Sequence, residues 1–172
     1  MRKIRYLVAM SLDGFIAGPN GEADWIENDP EVDFGAIWAQ FDTGIMGRKT
    51  YQAAVKRLGE KAFSGISVIV FSRTITAQDH PSITVVSELT TEWAEALRNK
   101  KGKDIWLFGG GELFRAFLDA GCVDTVEVSV IPVMLGGGIP LLPRPYHPAK
   151  LKLVSSKVYR SGTVSLGYEV RR

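Results

Sequence analysis

The stretch Ile105-Trp106-Leu107-Phe108-Gly109-Gly110-Gly111-Glu112-Leu113-Phe114 constrains this chain more than any other, because an apolar strand passes through three glycines directly into an amphipathic helix. A strand of that composition is buried on both faces, as in a parallel sheet covered by helices. The glycines let another group approach the main chain closely, and the helix start offers free N–H groups and the positive end of its dipole. The junction is therefore an anion site by construction. It lacks the glycine spacing of a full dinucleotide fingerprint and the Lys-Ser/Thr ending of a P-loop, so neither motif is assigned. The plain alternative is a tight turn that needs positive φ.

The remaining pattern supplies the sheet that such a junction requires. Ile4 to Met10 reads as a strand closed by the Asp13-Gly14 turn, and Ile66 to Phe71, residues 82–86 and Ile105 to Phe108 are further runs of buried-strand length. Helical patterns lie between them. Tyr51, Ala54, Val55 and Leu58 share one face, with Thr50 placed to cap the start and Gly59 the end. Leu89 to Lys101 repeats the pattern, with Thr90 or Thr91 as cap, Trp93, Ala94 and Leu97 inward, and Arg98, Lys100 and Lys101 at the favourable C-terminal end. A third helix, Glu112 to Ala120, turns Leu113, Phe114, Phe117 and Leu118 to the sheet and stops at Gly121. The last third changes character. Thr125 to Val133 is a strand, and Leu151 to Tyr159 and Thr163 to Val170 form a hairpin whose apolar residues alternate, an antiparallel edge that brings the sheet to about eight strands.

Two more strand ends carry cations. Ile45-Met46-Gly47-Arg48-Lys49-Thr50-Tyr51 runs from a strand into a helix whose first turn is basic. Cations there oppose the helix dipole, which points to a use beyond solvation, such as gripping phosphate. Val68-Ile69-Val70-Phe71-Ser72-Arg73-Thr74 ends the same way. Enzymes that use NADH often place an acid at such a position for the ribose hydroxyls, whereas Ser72 and Arg73 suit the extra phosphate of NADPH. Read singly, this segment is an ordinary loop start.

Composition narrows the setting. A length of 172 residues with 45% hydrophobic content predicts one domain spanning 1–172. The formal charge of +2 falls short of the Lys/Arg stripe a nucleic-acid surface needs, while anionic small molecules remain suitable partners. Cys122 stands alone and the histidines are His80 and His147, so no internal disulfide is possible and no metal site is expected. A reducing cytoplasm suits this content. After the opening charge of Met1-Arg2-Lys3, a strand explains the apolar stretch better than a signal peptide does, and no apolar run approaches the roughly 20 residues of a membrane span.

In their order and spacing the three junctions resemble the dihydrofolate reductase superfamily, whose pattern includes a Gly-Arg-Lys-Thr-aromatic helix start and a strand-Gly-Gly-helix turn. The resemblance covers nearly the whole chain. Within that superfamily, the segment from Val123 to Leu142, with Ile131-Pro132-Val133-Met134-Leu135-Gly136-Gly137-Gly138-Ile139-Pro140 at its centre, looks more like the reductase domain of bifunctional riboflavin-biosynthesis proteins than like true folate reductases. Met10-Ser11-Leu12-Asp13-Gly14-Phe15-Ile16-Ala17 points the same way. The His-x-Glu and Pro-Cys-x-x-Cys signature of their deaminase half is absent.

The resemblance implies a three-layer α/β/α fold with a mostly parallel sheet, and a cytoplasmic NADPH-dependent reductase acting on a small heterocycle or phosphorylated sugar-amine. Similarity to 5-amino-6-(5-phosphoribosylamino)uracil reductase is the first reading; a non-catalytic NADP-binding protein of the same fold and a true dihydrofolate reductase are the others. It implies that Ala9 and Ile16 line the nicotinamide, Gly47, Arg48, Lys49 and Thr50 the pyrophosphate and adenosine side, and Ser72 with Arg73 the 2′-phosphate. Ser87 would touch the adenine side, and Phe108, Gly109, Gly110, Gly111, Glu112 and Leu113 would complete the grip, with a cis peptide between Gly109 and Gly110. Riboflavin-type relatives pair through their C-terminal strands, which implies a homodimer.

The proton donor is harder to place. Folate reductases carry an acid a short distance after a tryptophan; after Trp25 that position falls near Pro30, among Asp29, Glu31 and Asp33. Asp33 is the choice among them, against the alternative that each is a solvated helix-start charge. A donor near neutrality would need a raised pKa. Asp13 either shapes its turn or, from its place beside the nicotinamide-side strand, is itself the donor. Ser129 either bonds a substrate or fills half a β-face, and Trp25, Trp38 and Phe41 either wall the substrate side or belong to the core.

Overall fold

The computed structural model describes residues 1–171 apart from 28, 60–62, 77 and 79. Its centre is an eight-stranded sheet in the order β5-β4-β3-β6-β1-β7-β10-β9. The strands are β1 (Ile4–Ser11), β3 (Phe41–Gly47), β4 (Ser67–Phe71), β5 (Ile83–Val86), β6 (Asp104–Gly109), β7 (Thr125–Ile131), β9 (Leu151–Val158) and β10 (Val164–Val170). The first six run parallel to one another, and β10 is antiparallel to both β7 and β9. The sheet expected from sequence is present, hairpin included. A small second sheet was not foreseen: β2 (Phe15–Ala17) pairs with β8 (Ile139–Pro140), both too short to show a period.

Helices cover the sheet unequally. On one face α3 (Thr91–Asn99) and α4 (Gly111–Asp119) press Ala94, Leu97, Phe114 and Phe117 onto Ile4, Tyr6, Ile45, Ile105 and Leu107. On the other, α2 (Arg48–Leu58) sets Tyr51 against Met46, Val68 and Val70, and the short α1 (Phe34–Trp38) lays Trp38 edge-on to Trp106. Phe41 is buried and also tilts against Trp106, so its ring belongs to the core. Beyond β10 the cover ends. All of β9 is exposed, including Leu153, Val154 and Val158.

Local details correct one expectation and extend another. The helix after β3 begins one turn early, with extended Gly47 at its N-cap and no side-chain cap; Thr50 is its third residue. Arg98 lies in the last turn of α3, as expected. It is buried and ion-paired with Asp124, which also accepts from the amide of Ile4, because α3 ends over the starts of β1 and β7. Gly59 and Gly121 close α2 and α4 at φ +77° and +67°, conformations that favour glycine. Thr90 caps α3 by accepting from the Trp93 amide.

Phe117 is fully buried and meets the rings of Phe71 and Trp93 edge-on at 5.5 and 6.4 Å. Phe117→Ala is expected to cost about 3–5 kcal/mol of unfolding free energy, read by denaturant titration.

Candidate functional site

Because β1, β3, β4, β5, β6 and β7 are parallel, their C-terminal ends share one edge, and the three junctions lie side by side there in the order β6, β3, β4. Ser87 follows at the end of β5. The hairpin tip reaches the same edge, since Val164 pairs with Val130 near the end of β7. Adjacent strands are about 4.8 Å apart, so the row from β1 to β5 spans roughly 19 Å. Groups distant in sequence thus form one continuous rim.

The sheet splits within that rim. β1 pairs with β6 only from Ile4↔Ile105 to Tyr6↔Leu107, but stays with β7 through Ser11↔Ile131. Beyond Leu107, β6 follows β3 instead, to Met46↔Gly109. A crevice opens between β1 and β6, the kind of divergence at which open α/β sheets take ligands. The carbonyl of Leu7, left without a ladder partner, accepts from the Trp106 indole at 3.0 Å. The main-chain groups of Ala9 on the same side of β1 face the crevice beyond the last β6 pair. Ile16, on β2, follows the turn that leaves this strand.

The three glycines have three separate tasks. Gly109 takes φ +106°, and the Gly109–Gly110 peptide is cis, as the resemblance implied. A Cβ on Gly110 would stand 3.5 Å from Thr50 Oγ1, and one on Gly47 would stand 4.0 Å from the Gly109 carbonyl, so the two helix starts meet. A Cβ on Gly111 would come within 2.6 Å of the Pro140 carbonyl, which makes this glycine a packing requirement. Neither α2 nor α4 has a side-chain cap, so their first-turn N–H groups stay available to a ligand. Glu112 is exposed in the first turn of α4, while Leu113 packs on the core. Phe108 is partly buried and packs edge-on to Phe63.

Cations flank the turn. Arg48 reaches Gln52 at 3.4 Å, and Lys49 and Arg73 are exposed with no partner among the described residues. Ser72 folds its own loop by accepting from the amides of Thr74 and Ile75 at 3.1 and 3.0 Å. This engages its oxygen as an acceptor and aims the following Arg73 outward.

The acids near Trp25 are already employed. Asp33 is exposed and caps α1 by accepting from the Ala36 amide at 2.9 Å, the solvated helix-start alternative. Asp29 accepts from the Ser161 hydroxyl and the Glu31 amide, and Glu31 pairs with Arg160, so the segment after Trp25 is hooked to the hairpin tip. The Ser161 bond, then the Glu31 amide, hold the Asp29 carboxyl below its ordinary range. A carboxyl held low is ionised near neutrality and has no proton to give. Trp25 is half-buried and donates to the Glu22 carbonyl. Ser129 shares a hydrogen bond of 3.0 Å with Ser165, its cross-strand neighbour, a partner that could be found only from the register of β7 and β10.

Asp13 does more than shape its turn. One carboxylate oxygen accepts from Ser11 Oγ and the Leu135 amide, the other from the Gly136 amide, at 2.7, 3.0 and 2.7 Å. Those bonds, Ser11 first, hold its carboxyl low, and they pin the glycine-rich loop to the end of β1. The signal was the pairing of Asp13-Gly14 with a distant Gly-Gly-Gly run, but sequence alone could not join them.

A cavity of about 250 Å³ lies elsewhere, toward the starts of the parallel strands, lined by Arg5, Glu127, Ser155 and Gly167 among others. Its guanidinium is spent on Glu127 and Asp104, so the rim, with its free cations and amides, is the better candidate. Among the described residues no group of three or more His, Cys, Asp or Glu could hold a metal ion, and no helix is long and apolar enough to cross a membrane.

A mostly parallel sheet split beside a glycine turn, with an antiparallel hairpin at one edge, defines the dihydrofolate-reductase type of fold. The dihydrofolate reductase of Enterococcus faecalis, solved in complex with NADP(H) and RAB-propyl, superimposes with a TM-score of 0.70 at 16% identity over 99% of this chain and 97% of that one. The chain belongs to the RibD C-terminal domain family, whose family model matches residues 2–165. A putative riboflavin biosynthesis protein from Shewanella sp. PV-4 matches with a TM-score of 0.84 and 27% identity, covering 100% of both chains. The uncharacterized protein YyaP of Bacillus subtilis (strain 168) is 34% identical over 178 residues, 97% of this chain and 94% of its own length.

Two outcomes test this geometry. Gly111→Ala is expected to lower Tm by several degrees in a thermal scan, because the new methyl meets a backbone carbonyl that cannot swing aside. The depressed Asp13 carboxyl contributes stability that is present above the ordinary aspartate value of 3.8 and lost as pH falls through its lower folded value. Asp13→Asn should therefore flatten the acid limb of a stability-against-pH curve.

Proposed function

We propose that the protein is an NADPH-dependent reductase that passes a hydride to a small heterocyclic or phosphorylated sugar-amine substrate, in the manner of the riboflavin-type reductases. The observation that carries this reading is the rim itself: two uncapped helix starts, unpaired cations and a crevice between β1 and β6, all on one edge. The free amides of α2 and α4, with Arg48 and Lys49, fit a diphosphate. Arg73 at the next strand end fits a ribose 2′-phosphate, with Ser72 and Ser87 beside it. The Ala9 amide and carbonyl fit a carboxamide, and Ile16 supplies apolar contact. When bound, the dinucleotide supplies the hydride, and the protein orients the partners and excludes water.

Substrate recognition falls to the side of the crevice nearest β7, where the Ser129–Ser165 pair keeps hydrogen-bonding capacity, with Trp25 as the proposed apolar wall. With Asp29, Glu31 and Asp33 engaged elsewhere, the proton comes from solvent or from the substrate. That same engagement favours a second reading, a protein that binds NADP without turnover. The bare apolar edge of β9 is proposed as the contact of a homodimer, since an exposed strand with Leu153, Val154 and Val158 is a template for another chain.

NADPH at a hundredfold excess over Kd should stabilise the protein by about 2.7 kcal/mol, a rise of several degrees in Tm. Arg73→Ala should weaken NADPH roughly tenfold and leave NADH nearly unchanged. Oxidation of NADPH in the presence of a pteridine or pyrimidine panel separates the readings: turnover supports the reductase, and tight binding without turnover supports the binding protein. Absence of any NADPH-induced shift overturns both.

A further inference from the structure

At the foot of the crevice lies a polar group that no motif announced. Tyr6 is the last residue of β1 paired with β6, opposite Leu107, and it is fully buried. Its ring stacks on Phe114 of α4 with centroids 3.8 Å apart and planes 6° from parallel. The ring is thus immobilised between the sheet and the helix. Its hydroxyl has no hydrogen-bond partner among the described residues. A Cβ on Gly109 would stand 3.3 Å from Tyr6 Cε2 and 3.8 Å from Oη, so the hydroxyl lies directly against the first glycine of the turn, below the uncapped start of α4.

A phenylalanine would fill the same space without this liability. Burying a hydroxyl with no partner costs more than burying the ring alone, and buried polar groups in folded proteins nearly always find one. Burial also pushes the phenol pKa up, so the group stays a neutral donor at any working pH. Around it the core is apolar: Ile4, Ile105, Leu107 and Phe114 offer no acceptor. On the side of the turn, by contrast, Gly109 presents no side chain, and beyond it β1 and β6 have separated. The hydroxyl has no exposed surface, and the side on which no side chain covers it is that of the turn and the crevice.

We propose that Tyr6 is a binding residue of the crevice, its hydroxyl supplying a hydrogen bond to a polar group of the dinucleotide at the nicotinamide end. The inference rests on the dinucleotide reading above and adds a residue to it. Tyr6 sits at the β1–β6 split, whereas Arg48, Lys49 and Arg73 sit one and two strands further along, so its contribution belongs to a different part of the ligand from theirs.

Tyr6→Phe removes the hydroxyl and keeps the ring stack. Calorimetric titration with NADPH and, separately, with adenosine 2′,5′-bisphosphate tests the assignment, alongside the Tm of the unliganded proteins. The expected result is NADPH binding weakened about 3- to 10-fold, the loss of one hydrogen bond, with bisphosphate binding within twofold of wild type and the unliganded Tm unchanged or raised. NADPH affinity within twofold of wild type would overturn it, whatever the unliganded Tm does, and so would equal weakening of both ligands. Those failures leave the dinucleotide reading standing if wild type binds both ligands. If wild type binds neither, the dinucleotide reading falls, and the role of Tyr6 falls with it.

Discussion

The parting of β6 from β1 after the Tyr6–Leu107 pair is the constraint on which the rest of the rim depends. A sheet paired along its whole length would present a closed edge of strand ends. Here β6 leans to β3, which brings Gly109 beside Met46, Gly110 beside Thr50 and the start of α4 beside the start of α2. The orphaned Leu7 carbonyl is met by Trp106, so the split carries no unmet main-chain carbonyl there. Trp106 in turn rests against Trp38, Phe41 and Phe108, and this aromatic cluster braces the parted strands from the face opposite α4.

Carboxylates in this molecule hold loops. Asp13 fastens the glycine-rich segment at Leu135 and Gly136 to the end of β1, Asp29 and Glu31 fasten the segment after Trp25 to the hairpin tip, and Asp33 starts α1. Asp13 and Asp29 each accept several main-chain or hydroxyl hydrogen bonds at once, which lowers their pKa and favours the charged form. An acid used in this way is poorly suited to deliver a proton. The loops around the crevice are accordingly tied down by acids, while uncapped helix starts and exposed cations stand along its rim.

Long periodic elements were readable in the chain because burial on a sheet imposes spacing that few other folds share. The strand and helix around the triglycine turn, α3 with its Thr90 cap, and the C-terminal hairpin all follow from such spacing. Thr50 shows where local reasoning fails: threonine is a good cap, but extended Gly47 lets the helix begin earlier, so Thr50 faces Gly110 instead. Arg98 shows the same limit. A cation at a helix end is ordinarily solvated, and only the arrival of Asp124 from the start of β7 makes it a buried pair.

The sequence by itself determined the parallel α/β architecture, the glycine junctions and the cations beside them, because these depend on residue type and on neighbours a few positions away. Only the tertiary structure decided which junctions share an edge, which acids are spoken for and where the sheet parts. Those properties arise from strand order and register, such as Ser129 beside Ser165 or Asp13 beside Gly136, and contacts between residues 36 or 123 positions apart leave no periodic trace in the chain. The Tyr6 hydroxyl, without a partner among the described residues, belongs with them: one tyrosine in a mostly apolar strand looks like core until its surroundings are assembled around it.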